Sequence, residues 1–179
     1  HNFKLTEASG RSWVVKIANV AENGDALDFQ AALLRPLAEH ATAFPLTHML
    51  PTLSGDKLGH CVGNDGQRHF MRVVSWLPGY PFAKGLRTTE SFGQLGQILG
   101  RMTMALQSFG HPAAHRLFDW DLTQSGRSRN RLRFIADPRR REILEYFLDR
   151  FETGILPALR RTRAQVIHGD ANEYNLLVD

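Results

Sequence analysis

An α+β fold with two lobes, a small antiparallel β-rich one at residues 1–76 and a mainly helical one at 77–179, is predicted by three features of the sequence. Before residue 76, two stretches rich in β-branched and aromatic residues are each folded around a turn signal, as hairpins are. After residue 88, apolar residues recur at helical spacing instead. Between these regions, Leu77-Pro78-Gly79-Tyr80-Pro81 breaks the strand pattern. Two lobes of this kind favour a ligand site in the cleft between them.

The elements follow in order. Residues 2–7 alternate apolar and polar, Ala8-Ser9-Gly10 signals a turn, and residues 11–17 resume as a second strand. From Asp25 to about His40 a helix is expected, with Leu27, Ala31, Leu34, Leu37 and Ala38 at helical spacing. Pro36 lies inside that pattern and predicts a break or kink near Arg35. Pro45 and Pro51 mark loop. Residues 58–62 and 68–76 form a second hairpin around Asn64-Asp65-Gly66, whose Asp-Gly step is a strong hairpin signal. Thr88 or Thr89 with Ser91 caps a helix that carries Phe92, Leu95, Ile98, Leu99, Met102 and Leu106 and stops at Gly110-His111-Pro112. Asp137-Pro138 opens a further helix, Asp as cap and Pro at the first position. It runs through Ile143, Leu144, Phe147, Leu148 and Phe151 and bends or restarts around Gly154 and Pro157. Residues 165–170 read as a short strand entering a loop, and residues 176–178 as the next strand.

Composition narrows the class. Of 179 residues, 42% are hydrophobic and 22% charged, enough apolar surface for a core and too much for a disordered tail. The one cysteine, Cys61, cannot form an internal disulfide, which points to the cytoplasm. No apolar run approaches the roughly 20 residues of a membrane span, so no membrane role is expected. The net charge is +4 and comes from residues 127–163, where eleven arginines face five acids. These charges interleave at helical spacing, as on a solvated helix face, and no nucleic-acid motif accompanies them. No nucleic-acid partner is expected.

Residues 166–178, Val-Ile-His-Gly-Asp-Ala-Asn-Glu-Tyr-Asn-Leu-Leu-Val, carry the chemistry. An apolar run delivers His168-Gly169-Asp170 to a loop, and Asn175 follows five residues after the acid. Phosphoryl transfer needs a carboxylate to orient or deprotonate the attacking hydroxyl, and a neutral oxygen ligand for a Mg²⁺ that bridges phosphates. Asp170 suits the first role and Asn175 the second, while His168 is better placed to brace the loop by hydrogen bonding. The alternative is a surface loop whose Asp and Asn merely form turns. The catalytic reading makes a further demand, a phosphate-contacting lysine on an earlier strand. Lys16 in Trp13-Val14-Val15-Lys16-Ile17 meets it.

With these residues in view, the chain resembles the aminoglycoside phosphotransferase/choline kinase-like family, which adopts a protein-kinase-like bilobal fold. It is most similar to the hydroxylysine kinase-like branch, some members of which are fused to class III aminotransferases. The likeness extends over Ile17-Ala18-Asn19, Asp28-Phe29-Gln30, residues 95–102, His115-Arg116 and Trp120-Asp121-Leu122. It implies ATP and Mg²⁺ as cofactors and a small-molecule alcohol as acceptor. It also implies backbone contacts to adenine at Val74, Ser75, Trp76 and Leu77, and an acceptor site lined by Trp120 and Asp121. For Trp76 a place in the core at the hinge stays open. For Trp120 and Asp121 the open alternatives are a structural tryptophan and a helix cap.

Two departures from the family pattern bear on activity. The helix position that pairs the strand lysine with Glu falls here at Gln30, whose amide can hydrogen-bond Lys16 without forming an ion pair, with Asp28 as a substitute on a neighbouring face. The family's phosphate-covering loop would precede residue 1, and its second metal-binding Asp would follow Asp179. These suggest an interior piece of a larger kinase-like protein. The expected function is ATP-dependent phosphorylation of an amino alcohol or related small molecule. The alternative is a kinase-like domain that binds nucleotide or a partner without turnover.

Overall fold

The first hairpin forms as its alternation dictates: β1 (Asn2–Thr6) pairs antiparallel with β2 (Ser12–Ile17), Leu5 opposite Trp13 and Asn2 opposite Lys16. The computed structural model describes residues 1–39 and 45–179. They divide into two units, His1–Ala114 with Gln165–Asp179, and His115–Ala164. The residue 76 boundary of the two-lobe reading falls inside the first unit.

In the first unit β5 (Arg68–Ser75) is the central strand. β2 pairs with it along one edge, while β4 (Gly59–Val62) and the two-residue β3 (Met49–Leu50) share the other, all antiparallel. The turn between β4 and β5 contains Gly66 at φ +74°, a left-handed backbone suited to glycine. β3 was expected as loop, because two residues beside Pro51 are too few to show an alternating pattern.

Helix α1 (Gly24–Ala38) starts where the Asn23 side chain accepts the Asp25 N–H. Leu27, Phe29, Ala31 and Leu37 are buried. The break expected near Arg35 does not occur. Pro36 lies in the last turn, two residues from the end, and the Glu39 N–H still closes onto the Arg35 carbonyl. The expected end at His40 falls outside the described residues. Helix α2 (Thr89–Ala105) has a capping box, with Thr88 and Ser91 exchanging side-chain-to-backbone bonds. It stops at Ala105, short of the expected Gly110. There the backbone tightens into three-residue steps, Gln107 N–H to Met104 O and Phe109 N–H to Leu106 O. Leu37 of α1 and Leu106 anchor a core that takes in Leu33, Ile98, Met102, Phe109 and Val166.

Residues 165–170 form no strand, contrary to expectation. Among the described residues no strand pairs with them; Val166 packs into the core and Gln165 donates to the Thr103 carbonyl instead. The next strand, β7 (Leu177–Val178), pairs antiparallel with β6 (Tyr80–Pro81), nearly a hundred residues upstream. Backbone bonds from Phe82 to Leu176 and from Ala83 to Glu173 extend this fastening. Tyr80-Pro81 was read as a break, because Pro81 has no N–H and its partner is distant in sequence.

The second unit opens with a long 3-10 helix (Leu122–Phe134), absent from the sequence reading, followed by α3 (Pro138–Arg150), a π-helical turn (Phe151–Ile155) and α4 (Leu156–Leu159). Asp137 caps α3 by accepting the Arg139 and Arg140 N–H groups. The bend near Gly154 and Pro157 is the π turn. Arg129 pairs with Asp149 at 2.7 Å and Glu152 at 2.8 Å, and Arg127 and Arg131 both reach Asp119. Among the described residues, no helix is long and apolar enough to cross a membrane.

Candidate active site

The loop at residues 168–175 is organised around Asp170. Gly169 has φ +72°, which only glycine adopts freely, and this turn lets the Asp170 N–H donate to His168 Nδ1 at 3.3 Å. Each carboxylate oxygen receives one amide: Asn172 Nδ2 donates to Oδ1 at 2.8 Å and Asn175 Nδ2 to Oδ2 at 2.8 Å. Asn175 Nδ2 also reaches the Asp170 carbonyl at 3.0 Å. Asn172 in turn accepts the Tyr174 N–H, which closes a tight turn. The carboxylate is thus aimed by two donors and remains exposed to solvent. Asn172 was not singled out in the sequence; its place two residues after the acid is the one signal that could have found it.

This donor set bears on the divalent cation the family implies. Such cations take hard oxygen ligands and keep several waters and phosphate oxygens of their own. Asn175 spends its N–H groups on Asp170, so its Oδ1 is left for a ligand, with no protein donor among the described residues. The loop fits as one protein contribution to such a site.

Lys16 lies in a different part of the first unit. It opens into a cavity of about 340 Å³ whose walls include Asn19, Glu22, Leu27, Phe70 and Arg72. The walls come entirely from residues 1–72, and Asp170 and Asn175 are not among them. Burial, then the nearby Arg72 charge, holds the Lys16 ammonium below the usual lysine pKa. Gln30 does not hydrogen-bond Lys16 as expected. Its Oε1 accepts Arg72 Nη2 at 2.5 Å. Asp28 does not substitute either: it pairs with Lys57 at 3.7 Å and His111 at 3.1 Å. No described carboxylate pairs with Lys16. Arg72 escaped the sequence reading because only the strand register places it opposite Lys16.

At the hinge, Val74 is buried on β5 and half-buried Leu77 follows. Trp76 is 40% exposed, with the Lys4 ammonium 4.2 Å from its ring, so it is not a core residue. Its N–H is committed to the Ser12 carbonyl, while the Leu77 N–H has no described partner. In the second unit, Asp121 caps the 3-10 helix: it accepts from the Thr123 N–H, the Thr123 hydroxyl and Gln124 Nε2. Trp120 is 86% exposed, so a buried structural role does not apply.

The chain belongs to the phosphotransferase enzyme family, whose pattern matches it over residues 1–179. Among curated proteins it is similar to the hydroxylysine kinase of Bos taurus, 25% identical across 98% of this chain and 48% of that protein. The hydroxylysine kinase of Mus musculus is 26% identical across 99% of this chain and 51% of its own length. The chain therefore spans about half the length of the curated relatives it matches. Its fold is similar to that of an amicoumacin kinase solved with AMP-PNP and Ca²⁺, with a TM-score of 0.61 and 15% identity over 92% of this chain and 47% of that one.

Proposed function

We propose that the chain is the nucleotide-binding and catalytic-loop portion of a small-molecule kinase, one that transfers the γ-phosphoryl group of ATP to the hydroxyl of an amino alcohol. The observation that carries this reading is Asp170, an exposed carboxylate whose two oxygens are each fixed by an asparagine amide. A group so held is pre-aimed to orient an acceptor hydroxyl and take its proton as the phosphoryl group moves in line. His168 acts on the loop rather than on substrate. Lys16 neutralises phosphate charge. Asn175 Oδ1 would help hold Mg²⁺, which supplies charge neutralisation across the bridged phosphate oxygens when bound. Adenine would lie against Val74 and Trp76, with the open Leu77 N–H as its hydrogen-bond donor. For the acceptor, the names of the relatives support hydroxylysine. The free Cys61 thiol accords with the cytoplasm as the place of action.

Asp170→Asn in the full-length protein is expected to lower kcat by about 10²–10⁴ while Mg²⁺-ATP affinity stays within a few-fold. Turnover near wild type would refute the role of Asp170. A second reading, nucleotide binding without turnover, is favoured by one observation, that Gln30 serves Arg72 and leaves Lys16 without an ion pair. Hydroxylysine-dependent ADP release by the wild-type full-length protein separates the two.

A further inference from the structure

We infer that Arg72 is a second phosphate-binding cation beside Lys16, contacting the nucleotide's phosphate oxygens through its guanidinium, with Gln30 as its positioning partner. Lys16 and Arg72 are directly opposite in the antiparallel β2–β5 register, so their side chains leave the same face of the sheet. Like charges so placed repel, and both line the same cavity of about 340 Å³. Neither has a carboxylate within ion-pair distance among the described residues. Glu22, also in the cavity wall, acts on Arg72 only through its field.

Gln30 explains how Arg72 is held. Its neutral amide oxygen takes Nη2 at 2.5 Å and fixes the plane of the guanidinium without cancelling its charge. Nη1 is then buried with no hydrogen-bond partner. Buried polar groups are rarely left so, and an arginine with a spare donor that lines a cavity beside a second cation suits an anion. An arginine fork matches phosphate geometry better than an ammonium does, which gives the pair complementary roles. The departure at Gln30 thereby acquires a purpose: a glutamate there would neutralise the charge that Arg72 presents.

This inference rests on the nucleotide reading above, and the experiment tells the two apart. Calorimetry on the full-length protein would titrate Mg²⁺-ATP, adenosine and inorganic pyrophosphate into wild type, Arg72→Gln, Arg72→Lys and Glu22→Gln. The expected result for Arg72→Gln is a loss of about tenfold or more in affinity for ATP and pyrophosphate, with adenosine within twofold of wild type. Arg72→Lys should recover part of the loss. Glu22→Gln, which removes the acid that lines the cavity with the pair, should bind pyrophosphate at least as tightly as wild type, and this arm stands even if Arg72→Gln fails to fold. Unchanged ATP affinity in Arg72→Gln, equal losses on ATP and adenosine, or weaker pyrophosphate binding in Glu22→Gln would overturn the role of Arg72. Wild type that binds pyrophosphate through Arg72 but not ATP would uphold the anion site and refute the nucleotide reading.

Discussion

Lys16 and Gly169 each set stability against use. The Lys16 ammonium has its pKa lowered by burial first and by Arg72 second, so the folded chain holds that proton less tightly than the unfolded chain does. Its folded pKa thus lies below the ordinary 10.5, and stability rises as pH climbs through that window. Lys16→Met is expected to raise the thermal midpoint at pH 7 and to abolish nucleotide binding, with the stability gain fading above pH 10.5; melting curves across pH check it. At Gly169 a Cβ would meet no atom within 4 Å, so substitution costs backbone strain alone. Gly169→Ala should destabilise by about 1–2 kcal/mol in urea unfolding, and Gly169→Asn by less, because asparagine tolerates the left-handed region.

The 3-10 helix in the second unit depends on its cap. Hydrogen bonds from Thr123 first, and from Gln124, hold the Asp121 carboxyl below the usual aspartate value of 3.8. Its contribution is therefore complete above that value and is lost as pH falls through the lowered folded pKa. Asp121→Asn is expected to remove this acid-sensitive step, read as the Thr123 amide shift against pH. A run of thirteen 3-10 residues is long for that geometry. Here Leu132 is buried and Arg129 is tied to Asp149 and Glu152 of the following helical turns. Those are contacts between elements, which is why local periodicity did not disclose the helix. The β6–β7 pairing was hidden for the same reason, whereas the caps at Thr88 and Asp137 were legible because capping is settled within three or four residues.

Across the molecule, the basic segment is laced with acids. Arg127, Arg129, Arg131 and Arg140 all have carboxylate partners. Paired arginines have few counterions to displace from a polyanion. The expected outcome is no retardation of duplex DNA or RNA by this chain at 150 mM salt on a native gel; a stable shift there would refute it.

Hairpins, helix starts and the His-Gly-Asp loop were fixed by the chain's own local order, since turn chemistry, capping and period act over a few residues. The loop's internal hydrogen bonding is local for that reason: Asp170, Asn175 and His168 lie within eight residues of one another. The partners of Lys16 were not. Whether Gln30 serves Lys16 or Arg72 depends on the register of β2 against β5 and on how α1 lies over them, and Asp28 is drawn instead to Lys57 and His111. Tertiary packing alone decides such pairings, because the hydrogen-bond reach of a side chain is a few ångströms while partners such as Arg72 for Gln30 and His111 for Asp28 lie 42 and 83 positions away along the chain.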